Sequence, residues 1–345
     1  MIINFLIIIQ GIMNEIGGYI ELPQFDGDIF HSNAIALNSA RNCLAYLIEA
    51  RKIKKIAIPK FLCNSISEVC RKYDVEMRYY SIDADFKTSE NFKLEKYEWF
   101  YFVNYYGQFN NKQISNLKEK HDRIIVDNVQ AYFQKPIAGV DTIYTCRKFF
   151  GVPDGAFLYT NKKINRELEV DISFKRMNHL LGRFEENANQ HYCEYTKNEY
   201  SFIELPIRKM SRLTRNILRA VDYEQVRLIR EQNFQYLDSK LGMYNKLKIH
   251  VPIGSFMYPL YIPNGAEIRK NLQKEKIYVP TLWPDVLELC DEKELEYDLA
   301  KNILPIPCDQ RYTLKDMEYV VTKVRKNLNW NNSRNISKER DVLND

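Results

Sequence analysis

The chain has 345 residues, enough for a large core and for two domains. Charged residues make up 28% and apolar ones 45%, the balance of a soluble globular protein. The net charge of +5 is spread along the chain, without the dense Lys/Arg stripe of a nucleic-acid binder. Seven cysteines without a CxxC pair and five scattered histidines offer no zinc-site spacing or disulfide framework, and point to reduced thiols in the cytoplasm.

The opening MIINFLIIIQGI is apolar but too short to span a bilayer. It also lacks the basic region and small-residue cleavage site of a signal peptide. Residues 1–12 are read as an upstream extension foreign to the fold, with Met13 as the start. ARNCLAYLIEA then puts Ala40, Cys43, Leu44, Leu47 and Ile48 on one helical face, with Asn38 or Ser39 as the N-cap. KKIAIP is a strand, NSISEVCRKY a helix, and EMRYYSI and WFYFVN are strands. KQISNLKEKH is a short helix, and RIIVDN, TIYTC and AFLYT are strands again. Strands alternating with helices predict an α/β domain on a mostly parallel, doubly wound sheet. Residues 163–245 are helix-rich and charged, and RNILRAVDYEQVRLIREQNFQYLDSKL predicts a helix or helix pair between two domains. HVPIGSFMYPLYIP, AEIRKNLQKEK, LPIPCDQRY and LKDMEYVVTKVRKNL predict a smaller α+β domain. The resulting division is a large domain over 13–240 that includes the helical linker, a small domain over 241–330, and a disordered tail over 331–345.

In open α/β sheets ligands lie beyond the carboxyl ends of the strands. IAIP is followed there by Lys60, and FYFVN ends at Asn104. IIVDN places Asp127 at the edge with Gln130 three residues on, and TIYTC is followed two residues later by Lys148. The helix opening at Ser39-Ala40 offers free backbone N–H groups to an anion. Lys148 lies in TCRKFFGVPDGAFLYT, a basic pair followed by two phenylalanines. It reads either as a solvated turn residue or as a lysine held against apolar walls to lower its pKa. A lysine, a carboxylate and an anion site at one sheet edge are what pyridoxal phosphate requires. Each also has an ordinary reading: Asp127 as an N-cap, Gln130 as an exposed amide, Ser39 as a plain cap. Lys60 competes with Lys148 as the reactive amine.

The order of these pieces resembles the DegT–StrS family of sugar aminotransferases, which have the type I fold of pyridoxal phosphate enzymes. The resemblance runs over residues 17–328, and IIVDNVQA and TCRKFFGVPDGAFLYT are its most specific parts. It implies that Lys148 bonds the cofactor, that Asp127 and Gln130 contact it, and that Ser39, Ala40 and Thr145 lie near its phosphate. Asp154-Gly155 would form the family's downstream acid-glycine pair. LNSARNCLAYLI, IAIPKFLCNSI, FVNYYGQF and LPIPCDQRYTLKDMEYV resemble further family segments. There are departures. Cys63 stands near the place of the family's ring-stacking aromatic, with Phe61 as the candidate substitute. LPIRK lacks the asparagine that reaches the partner subunit's phosphate, and GAF has one alanine in place of a double glycine.

The resemblance implies a homodimer that moves an amino group, from glutamate by family analogy, to a nucleotide-linked keto-sugar for a surface polysaccharide. Two alternatives are a non-catalytic member that binds the cofactor or a sugar nucleotide, and a pyridoxal phosphate sugar dehydratase. In the family the second goes with loss of the lysine present here.

Overall fold

The computed structural model describes residues 17–342, with side chains through residue 328. The reading of residues 1–12 as an extension therefore falls outside the described residues. The apolar runs of the first half form a seven-stranded sheet from β1 (Ile35–Leu37), β2 (Lys55–Pro59), β3 (Glu76–Tyr80), β4 (Trp99–Val103), β5 (Ile124–Asp127), β6 (Asp141–Thr145) and β7 (Ala156–Tyr159). Their order is β1-β7-β6-β5-β4-β2-β3. Every residue of β5 and β6 is buried, as suits interior strands of a sheet covered on both faces. β7 alone runs against its neighbours, β6 on one side and β1 on the other. The connection 146–155 is too short for a crossover helix, so β7 returns antiparallel. β1 consequently points the same way as β6, β5, β4 and β2.

Helices α1 (Ala40–Arg51), α2 (Asn64–Lys72) and α3 (Asn111–Lys120) connect these strands. α1 is capped by Ser39, whose hydroxyl accepts the Asn42 N–H at 3.1 Å, and it ends at Lys52 in the left-handed region. After β7 come α4 (Asn178–Glu185), α5 (Tyr192–Glu204), α6 (Arg212–Arg219) and α7 (Tyr223–Leu241). The long helical run is thus a pair, interrupted at 220–222, where Asp222 caps α7 through the Gln225 N–H at 3.0 Å.

The second sheet has two antiparallel strands, β8 (Met257–Tyr261) and β9 (Ile303–Pro307), with α8 (Gly265–Lys274), α9 (Val286–Leu289), α10 (Leu295–Asn302) and α11 (Leu314–Val342). A separate core forms there from Tyr258, Leu260, Leu304, Ile306, Val321 and Val324. Phe234, Leu237 and Leu241 of α7 belong to that core, so the helix assigned above to the large domain is also a wall of the small one. α11 continues to Val342 through residues expected as a disordered tail. That stretch contains no glycine or proline to stop a helix.

The two parts meet near the sheet's carboxyl edge. Trp283 packs on Phe61 with ring centres 4.4 Å apart and on Tyr105 at 5.6 Å, and Lys60 pairs with Glu294.

Candidate active site

Because β1, β2, β4, β5 and β6 run the same way, Ser39, Lys60, Asn104, Asp127 and Lys148 come to one edge of the sheet. Ser39 is buried and Ala40 is half-buried at the head of α1. First-turn amides have no intrahelical acceptor and carry the positive end of the helix dipole. Arg41 adds a cation in the same turn, its Nε 4.0 Å from the Glu68 carboxylate.

Asp127 ends β5 and is buried. Its Oδ1 accepts the Val129 N–H at 3.0 Å, and its Oδ2 accepts the Tyr101 hydroxyl at 2.8 Å. Burial pushes the carboxyl above its ordinary pKa, against the lowering by the Lys148 charge and by these two hydrogen bonds. Among the described residues Asp127 has no ion-pair partner, so a buried carboxylate is held by neutral donors alone.

Lys148 follows β6 on a turn closed by the Phe149 and Phe150 N–H groups, both donating to the Cys146 carbonyl at 2.9 Å. Its side chain reaches solvent, yet its Nζ lies 5.5 Å from the centre of the Phe256 ring. Crowding by protein atoms lowers the amine's pKa. Asp127 and Cys63 pull it up, while Arg147 and Arg41 push it down further.

The expected apolar wall is corrected. Phe149 and Phe150 do not enclose the amine; they anchor the turn in an aromatic cluster, with ring centres 5.4 and 5.0 Å from that of Tyr132. The ring near the amine is Phe256, from the segment before β8, which sequence reasoning missed because it is distant in the chain. The basic pair divides. Arg147 turns away to pair with Glu199 and lies 4.3 Å from the Phe202 ring centre, both on α5.

Other residues have structural partners. Gln130 is buried, and its Oε1 accepts the Tyr106 N–H at 2.6 Å, supporting a turn in which Tyr106 has φ +52°. The Thr145 hydroxyl donates to the Gly155 carbonyl at 3.5 Å. Lys60 donates to Glu294, and that bond raises its pKa, so it is held as an ammonium ion. Of the two competing lysines, Lys148 is the one shifted toward the neutral amine. Tyr101 was also missed; its only sequence signal is one phenol within an otherwise apolar strand.

The donor set fits pyridoxal phosphate. The head of α1 with Arg41 suits a phosphate, the unpaired Asp127 carboxylate suits a protonated ring nitrogen, and Lys148 suits an aldehyde.

No family model matches the chain, and no curated protein matches it in sequence. Solved structures do match in shape. S. venezuelae DesV in complex with a ketimine intermediate is 14% identical with a TM-score of 0.60, over 85% of this chain and 84% of that one. A DegT DnrJ EryC1 StrS aminotransferase from Brucella abortus is 16% identical with a TM-score of 0.57, over 85% of each chain. The PLP form of Streptococcus pneumoniae Spr1654 is 12% identical with a TM-score of 0.58, over 85% of this chain and 87% of that one. The chain therefore has the type I fold of pyridoxal-phosphate-dependent aminotransferases.

Proposed function

We propose that this chain is a pyridoxal-phosphate-dependent aminotransferase that moves an amino group from an amino acid, most simply glutamate, to a keto-sugar carried on a nucleotide, for polysaccharide synthesis. The observation that carries the reading is a buried Asp127 carboxylate, without an ion pair among the described residues, at the same sheet edge as the Lys148 amine. When bound, the cofactor supplies an electron sink for the donor's α-carbon. Asp127 holds the proton on the cofactor's ring nitrogen. The amides at the head of α1, with Ser39, Arg41 and Thr145, bind and orient the phosphate. Lys148 Nζ would hold the cofactor's aldehyde carbon and would be the group placed to take the proton from the donor's α-carbon. Gln130 acts at one remove, by fixing the 105–107 turn.

The working form is a cytoplasmic homodimer. All seven cysteines are free, as suits a reducing compartment, and no helix among the described residues is long and apolar enough to cross a membrane. Ile172, Phe174, Leu181 and Phe184 are exposed on and before α4, which supports a subunit contact there.

The test is borohydride reduction of protein reconstituted with pyridoxal phosphate, followed by peptide mapping. The pyridoxyl group is expected on Lys148; finding it on Lys60, or nowhere, sinks the reading. Glutamate should then shift the absorbance of the unreduced protein, as a non-catalytic binder of the same fold would not.

A further inference from the structure

Arg230, on α7, is buried to 1% of its surface. Its Nε donates to Gln310 Oε1 at 2.8 Å. Its Nη1 donates to the Ser255 and Phe256 carbonyls at 2.8 and 3.4 Å, and its Nη2 to the Phe149 carbonyl at 3.2 Å. The guanidinium also lies 4.6 Å from the Phe149 ring centre. None of these acceptors is a carboxylate, and Asp309, the acid whose charge reaches it, is bonded to Arg311 at 2.7 and 2.8 Å. Burial pulls the Arg230 pKa down to about 10. A buried cation without an ion pair is costly, and an apolar side chain would join α7 to its neighbours at less expense.

The acceptors indicate what the cation is for. The Phe149 carbonyl belongs to the residue after Lys148, and it accepts a second bond from Gln310 Nε2 at 2.8 Å. The Ser255 and Phe256 carbonyls belong to the segment that places the Phe256 ring 5.5 Å from the Lys148 amine. One side chain therefore grips the backbone carrying the lysine and the backbone carrying the ring beside it. The task suits arginine, whose planar fork presents five donors in fixed directions, and not lysine, whose ammonium is a point charge on a flexible stem.

We infer that Arg230 is the positioning residue for Lys148: with Gln310 as its bridge, it sets where the amine lies at the sheet edge by tying the Lys148 turn to the Phe256 segment before β8. The inference rests on the reading of Lys148 as the reacting amine. It assigns Arg230 no contact with substrate.

The experiment reads the lysine itself, in protein free of pyridoxal phosphate. Wild type, Arg230→Met and Gln310→Ala are labelled with a small acylating reagent across pH 6–11, and modification of Lys148 is followed by peptide mass spectrometry. Asp127 on β5, Cys63 before α2, Arg41 on α1 and Arg147 on the turn are unchanged in both variants. Arg230→Met should move the Lys148 midpoint up toward that of an ordinary lysine and slow its labelling at pH 8 several-fold. Gln310→Ala should shift it in the same direction by less. A Lys148 profile that superposes on wild type in folded variants overturns the inference and leaves Arg230 as a staple that only lowers the melting temperature. If Arg230→Met does not fold, Gln310→Ala decides by the same criterion. Failure of the proposed function would look different: wild-type protein would form no borohydride-trapped adduct on Lys148, whatever the labelling profiles.

Discussion

Asp154 and Ser211 are joined twice: the buried Asp154 carboxylate accepts the Ser211 backbone N–H at 2.9 Å and the Ser211 hydroxyl at 2.7 Å. Thr214 Oγ1 donates to the same carboxylate. The Ser211 oxygen in turn accepts the Thr214 N–H at 3.1 Å and caps α6. The acid that follows the Lys148 turn is thus an outer cap for a helix distant in sequence. It holds the far end of the turn while Arg230 holds the near end.

Replacing Asp154 with asparagine puts an amide N–H₂ where donors already converge. Asp154→Asn should cost about 2–4 kcal/mol, the loss of charge-assisted hydrogen bonds at a buried site. Denaturant unfolding measures it. A variant within about 0.5 kcal/mol of wild type, the usual range for a surface change, would remove Asp154 from this role.

Gly155 has φ +117°, and a Cβ there would stand 2.9 Å from Thr214 Cγ2 and 3.3 Å from Cys146 Sγ. Backbone strain and overpacking then act together. Gly155→Ala should destabilise by about 3 kcal/mol, whereas Gly151→Ala meets nothing within 4 Å and should be close to neutral. Comparable melting temperatures for the two variants would contradict this.

Lys60 and Glu294 are each about 29% exposed, so solvent screens their pair and it contributes little to stability. Glu294 raises the Lys60 pKa, and that contribution is present below the ordinary lysine value and lost as pH rises through the raised one. Lys60 lowers the Glu294 pKa, and that contribution is present above the ordinary value of 4.5 and lost as pH falls through the lowered one. The small stability gap between wild type and Lys60→Ala should therefore be flat from pH 6 to 9, and the variant should keep the pyridoxyl adduct on Lys148. A gap that varies steeply within that window would show another partner for Lys60.

The strands were legible because a parallel strand covered on both faces must be an uninterrupted apolar run, as in IAIP, WFYFV and IIVD. Asp127 and Lys148 were legible for the same reason: a charge just past such a run has to sit at the sheet's rim. β1 was missed because three residues, Ile35–Leu37, carry too little pattern, and their pairing with β7 is long-range. Arg230 and Phe256 were missed because α7 and the segment before β8 meet the Lys148 turn only in three dimensions. In sequence, Arg230 is one more basic residue on a charged helix.

The exposed side chains of Ile172, Phe174, Leu181 and Phe184 give the subunit contact a test. Wild type should be a dimer by light scattering at micromolar concentration. Ile172→Asp with Phe184→Asp should give a folded monomer, since buried charges without partners oppose an apolar interface. A wild-type monomer, or a double variant that remains dimeric, would move the contact elsewhere or remove it.

Asp127→Asn separates the cost of the site from its use. Burial raises the Asp127 carboxyl above the ordinary aspartate value of 3.8, with Lys148, Val129 and Tyr101 only partly offsetting it. A raised folded-state value means that stability is greatest below the ordinary pKa and is lost as pH rises through the raised one. Near neutral pH the ionised carboxylate thus destabilises the protein free of cofactor. Asp127→Asn should melt at or above wild type at pH 8, with the difference narrowing as pH falls through the raised carboxyl pKa. The variant should keep the Lys148 adduct, because the amine is intact. It should lose turnover on the order of 100-fold or more, as expected when a charge placed for the reaction is removed. Melting curves across pH, the trapped adduct and the glutamate half-reaction read these three outcomes separately. A variant that melts below wild type at pH 8 would show that the carboxylate is satisfied by the protein alone, and Asp127 would no longer be a group waiting for a cationic ring.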